Sequence, residues 1–251
     1  MEPMAVGALV FAILFGAAGL GMRLRSALPD HHRSPETKDS VRIAMGLVAT
    51  MAALVLGLLV ASAKGTYDVE KTEVTESVAG IKFLDGVLRD YGPDAQPARD
   101  VLRRAVEQAL IRLWPEENSQ HVPLDPSPYW STSMRHALMG LTPQTEVQRE
   151  LKAQALALAS HIGQTRWLVS EQAKTPISLA LLIVVVAWMA IIFVSLGLFA
   201  PDNGTVVTAF GSAALSVAGA MFLILELTRP FSGTVRISSE PLRSAIEQLA
   251  R

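Results

Sequence analysis

The chain has 251 residues, 50% of them hydrophobic and only 18% charged, with a formal net charge of -1 and no cysteine. Soluble domains carry about 25% charged residues, so this balance, with a mean hydropathy of +0.34, leans towards a membrane. Near-neutral charge gives no electrostatic footprint for nucleic acid, and the absence of cysteine excludes disulfides, thiol catalysis and thiolate metal sites.

The first uncharged run extends from Pro3 to Met22. It is not read as a secretory leader, because Met1-Glu2-Pro3-Met4 lacks a basic start and Arg23 and Arg25 follow the apolar run instead. Further uncharged runs span Ile43–Ala63, Thr175–Pro201 and Gly204–Leu225. Each approaches or exceeds the roughly 20 residues that a helix needs to cross a hydrocarbon core. The expected fold is therefore all-α, with four membrane spans arranged as two hairpins and an extramembrane helical domain inserted between them.

Spans one and two are joined by RLRSALPDHHRSPETKDSVR. Ser34 suits a helix N-cap, Pro35 the first helical position and Glu36 the positive end of the dipole. His31, His32, Glu36 and Asp39 place nitrogen and oxygen ligands close together in this loop. Adjacent histidines usually diverge, and neither HExxH nor a zinc-type spacing is present. The bland reading is a solvated, partly basic loop, and the sharper one a regulatory proton or cation site; no metal is assigned.

In the second span Gly46, Ala49, Ala53, Gly57 and Ala61 recur at helical spacing, and Lys64 ends the stripe. Small residues allow close backbone approach in lipid. They fit either packing within one subunit or a pore face formed by Ala49, Thr50, Ala53, Gly57 and Ala61. Lys64 is then either an interfacial cation or a charge at the pore mouth. The fourth span has a similar face, Ser212, Ser216, Gly219, Leu223 and Glu226. Glu226 is read as snorkelling to the interface or pairing with Arg229, with a regulatory role as the sharper alternative.

Between spans two and three, Val78, Ile81, Leu84, Leu88 and Tyr91 keep helical spacing until Gly92-Pro93. A second amphipathic helix runs from about Pro97 to Trp114-Pro115, QHVPLDPSPYW reads as a loop, a short helix is expected around Met134–Leu141, and a last one starts near Pro143 and carries Val147, Leu151, Leu158 and Ile162. Pro176 is the expected bend at the third span, and Pro201-Asp202-Asn203-Gly204 the tight turn before the fourth. The expected organisation is spans one and two over 1–65, a helical domain over 66–174, spans three and four over 175–227 and a tail over 228–251. His121, His136 and His161 lie apart and are read as structural. No GxSxG, GxxxxGK or GxGxxG pattern occurs, so an enzyme is not expected, and neither is a cofactor.

LPDHHRSPETKD with VATMAALVLGLLVASAKGTYD, FLDGVLRDYGPDA, and GLFAPDNGTVV through ILELTRPFSGTVRISSEPLR together resemble an uncharacterised, mainly bacterial membrane-protein family described as bestrophin-like. The resemblance spans nearly the whole chain in the same order. True bestrophins are pentameric chloride-permeable channels, so it implies a homo-oligomeric channel in the bacterial inner membrane. Its second span would line the pore, with lipid and permeant ions as the partners. Two departures limit the carry-over. The second span has no aromatic residue, and Thr234-Val235-Arg236 replaces the acidic calcium-clasp run after Pro230-Phe231-Ser232-Gly233. No aromatic gate and no calcium site are therefore carried over.

Orientation stays open. Arg23, Arg25, Arg33, Lys38 and Arg42 in the short first loop place that loop in the cytoplasm and the helical domain outside. The bestrophin topology implies the reverse.

Overall fold

A computed structural model describes residues 2–27, 29, 34–115, 129–172 and 179–250. His31, His32, His121, Pro176 and most of QHVPLDPSPYW lie outside the described residues. The elements are α1 (Pro3–Ala27), α2 (Pro35–Tyr91), a 3-10 turn (Pro93–Ala95), α3 (Gln96–Leu113), α4 (Tyr129–Met139), α5 (Glu146–Gln172), α6 (Leu179–Phe199), α7 (Gly204–Leu227) and α8 (Glu240–Leu249). No strand occurs among the described residues. The all-α class stands, and α1, α2, α6 and α7 are each long and apolar enough to cross a membrane.

The second span is part of a single helix of 57 residues. Its start follows from the capping residues: the Ser34 hydroxyl accepts from the Thr37 amide at 3.2 Å, and Pro35 opens the helix. No proline interrupts the sequence from there to Gly92. The end is sharp because Gly92 adopts φ 111°, a left-handed conformation that glycine tolerates, and Pro93 follows. Only about 20 residues are needed to cross the hydrocarbon, and the uncharged stretch Ile43–Ala63 supplies them. Outside that stretch α2 carries charged residues, from Glu36 to Arg42 and from Lys64 to Asp90.

The chain divides into two compact units, Met1–Tyr67 with Pro176–Arg229, and Asp68–Thr175 with Pro230–Arg251. In the first unit α1 packs against α6 and α7. The α1–α6 approach is very close at two glycines. A Cβ on Gly21 would collide with the Val194 carbonyl oxygen, and one on Gly197 with that of Ala18. The Arg25 guanidinium donates to the Ala200 carbonyl and so holds the end of α6. Val10, Leu14 and Ala18 of α1 meet Leu59 and Ala63 of α2, Val185 and Phe193 of α6, and Met221 and Ile224 of α7 in one buried cluster. The connection before α7 is short because Asn203 caps the helix, its side-chain oxygen accepting from the Val206 amide at 2.9 Å.

The second unit is built on the part of α2 that runs from Asp68 to Tyr91. Fully buried Asp85 accepts from Arg89 at 2.8 Å and from Arg99 at 2.7 Å, which ties α2 to α3. The Gln148 side chain donates to the Tyr91 carbonyl at 3.1 Å, linking α5 to the end of α2. Lys152 donates to the Met139 and Leu141 carbonyls at 2.8 and 2.7 Å and caps the C-terminal end of α4. The expected tail is folded over much of its length. α8 buries Leu242, Ala245 and Leu249, and Lys82 of α2 donates to its Ser244 hydroxyl at 2.9 Å.

Candidate functional site

The two sides of the second span differ in partner. Ala52 (0%), Leu59 (6%) and Ala63 (1%) are almost inaccessible, with Val55, Leu56 and Val60 beside them. The opposite side carries the small stripe. Thr50, Ala53, Gly57, Ala61 and Lys64 are exposed and Ala49 is half-buried. A Cβ added to Gly46 or Gly57 would meet no neighbour within 4 Å. Close packing among the described residues of the chain therefore does not account for these glycines. Thr50 satisfies its hydroxyl on the Gly46 carbonyl at 2.9 Å, so the stripe presents a nearly apolar wall. At its end the Lys64 ammonium lies 5.5 Å from the centre of the Tyr67 ring, a cation–π distance.

A second outward face lies on α7. Thr208, Ser212 and Ser216 are exposed, and each hydroxyl donates one turn back, to the Gly204, Thr208 and Ser212 carbonyls at 2.9, 2.7 and 2.9 Å. Such back-bonding lets a hydroxyl face lipid or a neighbouring helix without an unmet donor. Glu226 does not share this exposure. It is 3% exposed and buried in the first unit, so the snorkelling expectation fails. The apolar period of α7 turns position 226 inwards with Met221 and Ile224, a rotation that an end-of-helix argument overlooks.

The loop cluster is only partly described. Asp39 and Arg42 are solvated, and their charged atoms are 4.0 Å apart. The Glu36 carboxyl is held below its ordinary pKa by its own backbone amide and the Ser34 hydroxyl, as the start of a helix dictates. No group of three His, Asp or Glu side chains suited to a metal ion occurs among the described residues. His136 and His161 are both exposed.

One feature of the second unit has no counterpart in the expectations. Trp114, 1% exposed, donates its indole N–H to the Ile237 carbonyl at 2.8 Å. It also meets the Phe231 ring edge-on at 5.3 Å between centres. The Ile237 amide closes the loop on the Pro230 carbonyl at 2.7 Å, around Gly233 at φ 85°. The sequence signal was available: Ser239, Glu240 and Pro241 open a helical period that continues through Leu242, Ala245 and Leu249.

Over residues 11–242 the sequence matches the family described as Bestrophin-like domain. The chain belongs to the bestrophin-like family. No curated protein and no solved structure gives a match. Bestrophin-like membership points to a channel-like function rather than an enzymatic one. Together with the four apolar helices it makes this an integral membrane protein. Within the bestrophin-like chain, the small-residue stripe of α2 points away from the buried residues Ala52, Leu59 and Ala63. Exposed Leu47, Leu54 and Leu58 flank that stripe on the outward side.

Proposed function

We propose that this bestrophin-like protein is a homo-oligomeric ion channel of the bacterial inner membrane, with the α2 face Ala49, Thr50, Ala53, Gly57 and Ala61 lining the pore. The observation that carries the reading is the division of α2. One side is buried in its own chain, and the small-residue side is largely exposed, with no neighbour within 4 Å of Gly46 or Gly57 among the described residues. Repeated around an axis, that side would form an apolar constriction that conducts by wetting and closes by dewetting. Lys64 at the end of the stripe would give a ring of cations and a preference for anions.

The test is current across a planar bilayer holding the purified protein under a chloride gradient. Unitary currents reversing near the chloride potential are expected. A cation-selective reversal discards the Lys64 ring, and silence from folded protein over a range of voltage and pH rejects the pore.

A second reading is a non-conducting sensor or scaffold whose helical unit binds a partner. It is favoured by Phe83, Met139 and Val147 of that unit, which are 55%, 62% and 67% exposed. Gly57→Leu separates the two readings. In a pore it blocks current while the oligomer still assembles. In a packing seam between subunits it disrupts assembly first.

A further inference from the structure

Lys64 is the first charged residue after the uncharged run Ile43–Ala63 and ends the small-residue stripe. It is exposed, yet its ammonium lies over the Tyr67 ring, 5.5 Å from the ring centre. Positions three apart on a helix are neighbours on its surface, so the contact needs no distortion of α2. Tyr67 itself is only partly exposed and packs against the buried cluster of the first unit. The core therefore holds the ring while one face of it meets the cation. A lysine head on its flexible stem gives up rotamer entropy when it is fixed, and without a rigid neighbour its charge spreads through the surrounding water.

We propose that Tyr67 is the positioning residue for the Lys64 charge, holding the ammonium against α2 at the end of the stripe and so setting how strongly the channel prefers anions. The inference rests on the pore reading above and goes beyond it in naming the group that places the cation. Repeated around an axis, held ammonium groups share one height and their fields add at the mouth. Ammonium groups free to swing outwards are screened by solvent and salt instead. The ring and not the phenol hydroxyl carries the effect, because a cation is attracted to the negative face of the π system. Asp68, four positions after Lys64, is the other group that helical spacing sets beside it. A carboxylate there lowers the positive field, so the two neighbours have opposite signatures.

The experiment pairs reversal potentials under a chloride gradient with NMR of the full-length chain, carrying ¹³C-labelled lysine, in phosphatidylcholine nanodiscs. The Lys64 signal is assigned by its loss in Lys64→Arg. In the wild type the ring current of Tyr67 shifts the Lys64 ε-methylene upfield; Tyr67→Phe keeps that shift and Tyr67→Leu loses it. Tyr67→Leu also lowers the chloride-over-cation permeability ratio by roughly two- to fivefold, the range that an exposed cation–π contact supports. Tyr67→Phe leaves the ratio as in the wild type, and Asp68→Asn does not lower it. In a Lys64→Gln background Tyr67→Leu changes the ratio no further. The proposal is overturned if Tyr67→Leu leaves the ratio unchanged, if it acts equally without Lys64, or if Asp68→Asn lowers the ratio as much. An unshifted Lys64 signal in conducting wild type, which needs no variant to fold, overturns this proposal alone. A wild type with the shift but no current overturns the pore reading and the role of Tyr67 with it.

Discussion

Asp85 and Trp114 show how single polar groups hold the helical unit together. Asp85 is fully buried and both its oxygens accept from guanidinium groups. Removing its charge strands Arg99, whose side chain is only 13% exposed. Asp85→Asn is therefore expected to cost about 3 kcal/mol or more, read as a lower midpoint in chemical unfolding of the purified chain. Trp114→Phe keeps an aromatic ring near Phe231 but loses the bond to Ile237. A loss of about 1–3 kcal/mol is expected, with faster proteolysis at Ile237 as the local signature. Glu70 and Glu73 act in the opposite direction. Burial, and then a neighbouring carboxylate, raise the pKa of both groups in the folded chain, so the folded state binds protons more readily than the unfolded chain. Their favourable share is present below the unfolded pKa and is lost as pH rises through the folded value. Glu70→Gln should therefore be more stable than wild type at pH 7.5, and the difference should vanish near pH 4. A constant difference across that range would remove the linkage.

The helices differ in what their glycines do. Gly21 and Gly197 sit where the α1 and α6 backbones meet, and a single methyl at either would press on a carbonyl oxygen. Gly197→Ala should force the pair apart, lowering the yield of monodisperse protein in size-exclusion chromatography. Gly57→Ala should leave that yield unchanged, because its surroundings within the chain are open. Interchangeable behaviour of the two variants would refute the distinction between a packing glycine and an outward one. Sequence spacing singled out the Gly57 stripe and passed over Gly21 and Gly197. The stripe repeats along one helix, whereas the tight crossing needs one glycine from each of two helices far apart in the chain.

At the scale of the whole molecule the open matter is which side of the membrane carries the helical unit. The charge argument favours a position outside the cytoplasm, and the resemblance to bestrophins implies the reverse. The chain has no cysteine, so Met139→Cys, at a residue 62% exposed, provides one unambiguous label. On the charge argument, a membrane-impermeant maleimide should label it in intact spheroplasts. Labelling only after lysis would reverse the orientation and support the bestrophin arrangement.

The sequence by itself determined the four apolar helices, the start of α2 at Ser34-Pro35 and its end at Gly92-Pro93. It also carried the bestrophin-like family likeness. These depend on composition, capping residues and backbone restrictions that act over a few neighbouring positions. Only the tertiary structure decided that the small stripe of α2 faces away from its own chain and that Glu226 is buried. It also decided that Asp85 draws in two arginines and that residues after Pro230 return to Trp114. The physical reason is that helical spacing marks which residues share a face, but not what that face meets. The partner is set by helices distant in sequence, whose approach depends on packing at a few positions such as Gly21 and Gly197.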